Sequence, residues 1–125
     1  MIKILCFMNR KPGLSMEEFK AYYEERHVPL IHRLLPHWIE YRRNFSEERP
    51  HNSAHMVETR PRDVEFDVLT ELTYENEDMY QRTLAALADP EIGAIIREDE
   101  ARFLDRETMR VVIVDERRSI PENQD

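Results

Sequence analysis

The sequence predicts an α+β domain of the ferredoxin-like type, with the element order β-α-β-β-α-α-β and a four-stranded antiparallel sheet. Three observations support this prediction. A β-branched apolar strand begins the chain and another lies near its end, helical patterns follow the first and third strands, and no helix separates the second strand from the third. The 125 residues suit one domain. We expect that domain to occupy residues 1–118, with a flexible tail at 119–125.

The first half of the chain is predicted to contain a strand, an interrupted helix and a second strand. Ser15 and Glu18 have the spacing of a capping box, which marks the beginning of the helix. Pro29 disfavours the helical conformation at Val28, so we expect the helix to break there and to resume as a second piece. The predicted ranges are a strand at 2–8, a helix between residues 16 and 35, and a strand at 38–46.

The second half is predicted to contain a strand, two helices and a final strand. Pro90 suits the first turn of a helix, which separates the two helices near Asp89. The predicted ranges are 66–74, 77–88, 90–103 and 109–116. The connection at 47–65 is longer than the usual hairpin loop of about 2–5 residues. It is either a flexible tether or an arm that covers a site, and the sequence leaves both open.

The first and last strands carry apolar side chains on both faces. In the first strand Ile4 and Cys6 alternate with Leu5 and Phe7. A strand that is apolar on both faces needs cover on both. Helices of a ferredoxin-like domain cover only one face of the sheet, so a second copy of the same sheet is the simplest cover for the other. We therefore expect a homodimer.

Composition and charge exclude several classes of function. The chain has 18 Lys and Arg against 26 Asp and Glu, a net charge of −8. That charge disfavours nucleic acid and anionic membrane surfaces as partners. No apolar run is long enough to span a membrane, no signal peptide is evident, and Cys6 is the single cysteine, so we expect a cytoplasmic protein.

Cofactor and metal sites are not predicted. With only two glycines, Gly13 and Gly93, the chain has no glycine-rich loop for a nucleotide cofactor. His51 and His55 are four residues apart, but they lie in a polar, proline-containing segment without further ligands. We therefore expect neither a cofactor nor a bound metal.

His27 and Asp99 are the main candidates for chemistry. His27 follows Tyr23 by four residues, so it lies on the apolar stripe of the first helix, next to the expected break. It is a candidate proton-transfer group, or alternatively a packed histidine with a structural hydrogen bond. Asp99 follows Ile96 by three residues on the apolar stripe of the last helix. A carboxylate there needs a partner, which is either catalytic or a structural ion pair.

Two further carboxylates and several aromatic residues complete the set of candidates. Asp67 and Glu71 share one face of the third strand and are expected on the dimer side. They are either polar groups of a cavity, with raised pKa values, or members of a salt bridge to Arg42 or Arg43. The candidate substrate-binding residues, besides Asp67, are Tyr22, Tyr23, Tyr41 and Phe103.

Four segments together resemble the EthD domain family. They are KILCFMNRKPGLSMEEFKAYYEERHVPLI, FDVLTELTY, DPEIGAIIREDEARFLD and MRVVIVDE, within residues 1–116. The resemblance implies a dimeric α+β barrel. It also implies that His27 is the histidine of the family's His-x-Pro-Leu element, and that Asp67, Glu71 and Asp99 occupy matching acidic positions.

The residues and the resemblance together predict a cofactor-independent lyase or isomerase. Its substrate would be a small aromatic or polyketide-like molecule, as the resemblance to dehydratases and decarboxylases implies. His27 would transfer protons, and Asp99 or Glu71 would orient it or act as its counterpart. The alternatives are a non-catalytic ligand-binding or accessory protein, and a haem-dependent oxygenase of the same superfamily.

Overall fold

A computed structural model describes residues 1–47 and 66–122. Its elements are β1 (Ile2–Met8), α1 (Met16–Tyr22), a π-helical segment (Tyr23–His27), α2 (Val28–Leu34), β2 (Glu40–Phe45), β3 (Val68–Tyr74), α3 (Glu77–Ala88), α4 (Pro90–Phe103), a 3₁₀ turn (Arg106–Thr108) and β4 (Arg110–Val114). The predicted order and the four-stranded antiparallel sheet are confirmed. The strands β2, β3 and β4 are each two or three residues shorter than predicted.

The strands are arranged in the order β2-β3-β1-β4, and every pair is antiparallel. The register places Cys6 opposite both Thr70 and Val111, and Tyr41 opposite Leu72. Side chains of these five residues share the face on which the helices pack, which we call the helix face. The other side of the sheet is called the outer face.

A cluster of buried aromatic side chains joins α1, α4 and the helix face. Phe19, Tyr23 and Phe103 are fully buried, and so is Val68 of β3. The Phe19 ring lies edge-on to Tyr23 and Phe45, with centroid separations of 6.2 and 6.0 Å. Burying one such side chain stabilises the fold by roughly 1.5–3 kcal/mol. This cluster fixes the position of the helix that carries His27.

The predicted helix break at Val28 is replaced by a wider helical turn. Val28 keeps helical angles, φ −58° and ψ −48°, and its N–H bonds to the carbonyl of Tyr23, five residues earlier. Pro29 has no N–H to donate to the preceding turn, and the π-helical segment accommodates that loss without breaking the chain. The prediction located the irregularity correctly but gave it the wrong form.

The outer face is partly apolar and carries a buried charge cluster. Lys3 is only 8% exposed and contacts the carboxylates of Glu71, at 2.7 Å, and Glu116. Apolar side chains of β1, β3 and β4 share this face; they are Leu5, Phe7, Leu69, Val112 and Val114. The homodimer expected from this face stays a prediction.

Some of the expectations concern residues that are not described, or only partly described, by the structure. The segment at 47–65 lies almost wholly outside the described residues, as do His51 and His55. Of the predicted tail, residues 119–122 are described and exposed. No helix in residues 1–47 and 66–122 has the length and apolarity to cross a membrane.

Candidate active site

An apolar cavity of about 210 Å³ lies between the helix face of the sheet and the helices. Sheet residues such as Cys6, Thr70 and Leu72 line one side, and His27, Ile31 and Ile96 line the other. The remaining lining residues include Ile4, Met8, Tyr23, Leu35, Trp38, Tyr41, Tyr74, Thr83, Glu100, Met109 and Val111. Its volume exceeds the roughly 150 Å³ of an apolar cavity that holds benzene, and its few polar groups are typical of ligand sites.

His27 and Asp99 form a buried pair in the wall of this cavity. Nδ1 of His27 lies 2.6 Å from Oδ2 of Asp99, and the two residues are 5% and 8% exposed. His27 lines the cavity, whereas Asp99 lines a separate groove on the outside of the helices. The pair therefore connects the cavity wall with the exterior of the helix layer.

The ionisation state of Asp99 determines which of the two side chains carries the hydrogen that they share. Burial by itself raises the pKa of Asp99, but hydrogen bonds from His27 and Tyr22 outweigh that effect and hold the pKa below its usual range. The Tyr22 hydroxyl donates to Oδ1 at 2.8 Å. An ionised carboxylate only accepts hydrogen bonds, so Nδ1 of His27 carries the shared hydrogen.

The remaining ring nitrogen of His27 is available to a ligand. Nε2 has no hydrogen-bond partner in the described parts of the chain, and it is not among their fully buried polar atoms. Since Nδ1 is engaged by Asp99 and the ring lines the cavity, we infer that Nε2 is the atom that a bound molecule meets. In a neutral imidazole with hydrogen on Nδ1, Nε2 is a proton acceptor.

The π-helical segment and Phe103 hold the His27 ring in place. The wider turn directs Tyr23 and His27, the two ends of the segment, toward the same interior, with ring centroids 5.0 Å apart and edge-on. Phe103 contacts the other side at 4.8 Å and stacks on Tyr22. Phe103 is fully buried and does not line the cavity, so it supports His27 rather than contacting a ligand.

Three hydroxyls form a polar cluster on the cavity wall. The Tyr23 hydroxyl lies 2.9 Å from that of Tyr41 and 2.6 Å from Oγ1 of Thr70. Burial raises the pKa of Tyr23 to about 12 and raises that of Tyr41 further, so both phenols keep their hydrogens at neutral pH. The two hydrogen bonds use two of the three hydroxyl hydrogens, which leaves one for a ligand oxygen.

Glu100 is a cavity residue that the sequence did not identify. Its carboxylate lies 3.2 Å from Nε of Arg106, and its side chain is 15% exposed. Burial raises the pKa of Glu100, and the charges of Arg106 and His27 offset this only in part. Glu100 follows Ile96 by four residues, so the helical spacing that indicated Asp99 could also have indicated Glu100. Trp38 likewise lines the cavity and was not predicted.

Glu71 and Asp67 do not join this site. Glu71 lies on the outer face, where Lys3 above all, and then Asn44, lower its pKa. For Glu71 the raised pKa was a wrong expectation, and its salt bridge forms with Lys3 rather than with Arg42 or Arg43. Asp67 lies at the end of β3 and accepts the backbone N–H of Arg10 at 2.8 Å. Neither carboxylate lines the cavity, so the structure does not bring Glu71 to His27.

Tyr22 also lies apart from the cavity, and the described residues contain no grouped metal ligands. Tyr22 reaches Asp99 from the outer groove, and only Tyr23 and Tyr41 among the predicted tyrosines line the cavity. Within residues 1–47 and 66–122, no three His, Cys, Asp or Glu side chains are grouped as metal ligands. Cys6 lines the cavity, and burial raises the pKa of its thiol to about 11.

The sequence and the fold define the family of this chain. The EthD domain matches residues 11–107, so the chain belongs to the EthD domain family, which is part of the dimeric α+β barrel superfamily. No sequence match was found among curated proteins.

Solved structures of the same fold come from bacteria and a plant. An EthD family protein of Bacillus halodurans has a TM-score of 0.57 and 19% identity over 94% of this chain and 100% of its own. An Arabidopsis thaliana protein has a TM-score of 0.57 and 15% identity over 97% and 100%. SnoaB, a cofactor-independent oxygenase of Streptomyces nogalater, has a TM-score of 0.54 and 13% identity over 97% of each chain. These similarities show the fold.

Proposed function

We propose that this protein is a cofactor-independent lyase or isomerase that acts on a small aromatic or polyketide-like molecule in the cavity between sheet and helices. One observation carries the proposal: the His27 ring lines an apolar cavity while its Nδ1 is engaged by Asp99. A general acid–base group in such a position accelerates proton transfer by roughly 10²–10⁴-fold.

The proton would move in two steps. Nε2 of His27 removes a proton from a carbon next to a carbonyl, and the C–H electron pair forms the enolate. Asp99 stabilises the imidazolium through the hydrogen bond to Nδ1. The imidazolium then returns the proton to the same molecule: to a departing hydroxyl in a dehydration, or to another carbon in an isomerisation. Atoms and electrons balance without any co-reactant.

The hydroxyl cluster would stabilise the enolate. Tyr23, Tyr41 and Thr70 have one hydroxyl hydrogen beyond those in their mutual hydrogen bonds. A donor in an apolar cavity is more effective than one in water, because no solvent competes for the developing negative charge. The Tyr23 ring contacts His27, so the proton acceptor and the hydrogen-bond donor lie on adjoining parts of one wall.

The test is deuterium exchange into an enolisable two-ring ketone, because removal of that proton is the first step of the proposed chemistry. We expect the wild-type protein to accelerate exchange of the α-protons of 2-tetralone in D₂O, followed by NMR, over buffer alone. His27→Gln should lose at least about 10²-fold of the acceleration. His32→Gln, a surface histidine packed on Trp38, is the matched control and should retain it.

Two outcomes would contradict the acid–base proposal. Exchange that is as fast with His27→Gln as with the wild type would remove His27 from the chemistry. Binding of 2-tetralone without any acceleration by the wild type would favour the non-catalytic ligand-binding protein instead. The comparison with His27→Gln requires that the variant keep the thermal midpoint of the folded wild-type protein.

We further propose that the chain forms a homodimer through the outer face. Val112 is 43% exposed there, beside the apolar side chains of β1 and β3, and the superfamily is named for dimers of this kind. The buried Lys3 and its two carboxylates would then lie within the interface and fix its register. Sedimentation equilibrium at micromolar concentration should give twice the 15.1 kDa chain mass. A compact monomer would contradict the proposal.

A further inference from the structure

We propose that Glu100 is a specificity-determining residue that restricts the cavity to uncharged ligands. This inference deepens the proposed function and rests on the same cavity. Among the described residues that line it, Glu100 carries the one carboxylate and no lysine or arginine is present. An anionic ligand would therefore meet the Glu100 carboxylate, and no lysine or arginine of the described lining would contact the ligand.

The ion pair with Arg106 does not cancel this charge on the cavity side. Nε of Arg106 lies 3.2 Å from Oε1 of Glu100, but the Arg106 side chain is 44% exposed and does not line the cavity. Water therefore screens the guanidinium, whereas the apolar wall around the carboxylate screens little. Among the described lining residues only the His27 imidazole can accept a proton to become a cation, and Asp99 already engages its Nδ1.

A second consequence concerns the hydrogen bonds that a ligand can make. The carboxylate of Glu100 accepts a hydrogen bond, and the hydroxyl cluster can donate one. A phenol, an enol or an amide carries a donor and an acceptor in one group, and so it suits both. A carboxylate carries acceptors only, so it cannot donate to Glu100 and the hydrogen bond between ligand and Glu100 is lost.

The experiment compares two ligands of nearly equal shape, 2-naphthamide and 2-naphthoate, by titration calorimetry at pH 7.5. We expect the wild-type protein to bind the amide at least about tenfold more tightly than the carboxylate. Glu100→Gln keeps the shape and removes the charge, so it should bring the two dissociation constants within about threefold, mainly by tightening naphthoate binding.

Glu98→Gln is the matched control. Glu98 lies on the same helix and forms an equivalent ion pair with Arg102, but its side chain is 72% exposed and faces away from the cavity. This variant should keep the wild-type preference. Because Trp38 is the one tryptophan of the chain and lines the cavity, a change of its fluorescence on binding reports occupancy of this site.

Several results would overturn the inference. They are equal affinity of the wild type for both ligands, tighter binding of naphthoate, failure to bind either ligand, and an equal loss of both affinities in Glu100→Gln. The readout needs no turnover, so it is separate from the acid–base chemistry. The two proposals can fail separately. If Glu100→Gln removes the wild-type preference while His27→Gln leaves proton exchange unchanged, the charge selection by Glu100 is supported and the proposed lyase or isomerase activity is contradicted.

Discussion

Replacing Asp99 by asparagine should destabilise the protein in a pH-dependent way, because the carboxylate accepts two hydrogen bonds in a buried position. They come from Nδ1 of His27 at 2.6 Å and from the Tyr22 hydroxyl at 2.8 Å. A hydrogen bond to a charged group contributes about 1.5–3 kcal/mol, and one between neutral groups about 0.5–1.5 kcal/mol. Asparagine keeps the shape but not the charge, so both hydrogen bonds change from the charged to the neutral kind. After subtraction of the cost of burying the carboxylate, the free energy of unfolding should fall by about 2 kcal/mol.

The pH dependence follows from the lowered pKa of Asp99. A carboxyl group whose pKa is lower in the folded state contributes stability above its unfolded value, about 3.9, and loses it as the pH falls through the folded value. The difference between wild type and Asp99→Asn should therefore shrink in strong acid, as the pH falls through the folded pKa of Asp99.

Urea denaturation at pH 7.5 and at several acidic values, at one fixed protein concentration, measures this difference. In a thermal melt, each kcal/mol of this difference corresponds to about 4 °C of midpoint for a domain of this size. The reasoning would be refuted by a neutral-pH difference below about 0.5 kcal/mol, since that is the range of an ordinary surface substitution. A difference that does not shrink as the pH falls below about 3.9 would refute it as well.

Three further predictions concern the hydroxyl cluster, the helix contact and the outer face. Tyr23→Phe removes the central hydroxyl, so it should slow 2-tetralone exchange by at least about tenfold while the fold persists; unchanged exchange would exclude the cluster from catalysis. Gly93→Ala places a Cβ 2.7 Å from the carbonyl oxygen of Leu87. It should therefore lower the free energy of unfolding by about 1–3 kcal/mol, although alanine has the higher helix propensity. A stabilised variant would contradict the tight contact between α3 and α4. Val112→Asp should shift sedimentation equilibrium toward monomer, whereas Ile95→Asp, on the outside of α4, should not.

Several strands and helices could be predicted because the local sequence pattern of their residues agrees with the burial that the fold gives them. Alternation in β1 placed Ile4 and Leu5 on different faces, and the run from Glu77 to Ala88 matched the predicted helix at both ends. Capping at Ser15 was also predicted, because the capping box depends on only four consecutive residues. Such features are local, so one sequence suffices to reveal them.

The site could be predicted only in part, because its geometry depends on long-range pairing. Helical spacing placed His27 and Asp99 on apolar stripes, and the structure brings these two together across 72 positions of the chain. The same reasoning could not say on which side of the sheet a cavity lies, so Glu71 remained a candidate although Lys3 holds it on the outer face. Glu100 was missed although it follows Ile96 by four residues, because spacing alone does not show that a cavity lies beside its carboxylate.

The form of the helix irregularity was beyond a local rule. Pro29 restricts the residue before it, and the usual outcome is a break. Here the Tyr23 ring contacts His27, at the other end of the irregular turn, and Phe103 of α4, and the chain stays helical. The wider turn is also what directs Tyr23 and His27 toward the same interior, so tertiary packing determined both the shape of the helix and the position of the candidate base.

A crystal structure with bound 2-tetralone tests the central claim most directly, which is that His27 transfers protons to and from a molecule in the cavity between sheet and helices. We predict that the ketone lies against Ile31 and Ile96, with an α-carbon within about 3.5 Å of Nε2 of His27. Its oxygen should lie within hydrogen-bond distance of the Tyr23–Tyr41–Thr70 cluster. A ketone bound in the outer groove beside Tyr22, or one in the cavity with its α-carbons remote from Nε2, would contradict the account.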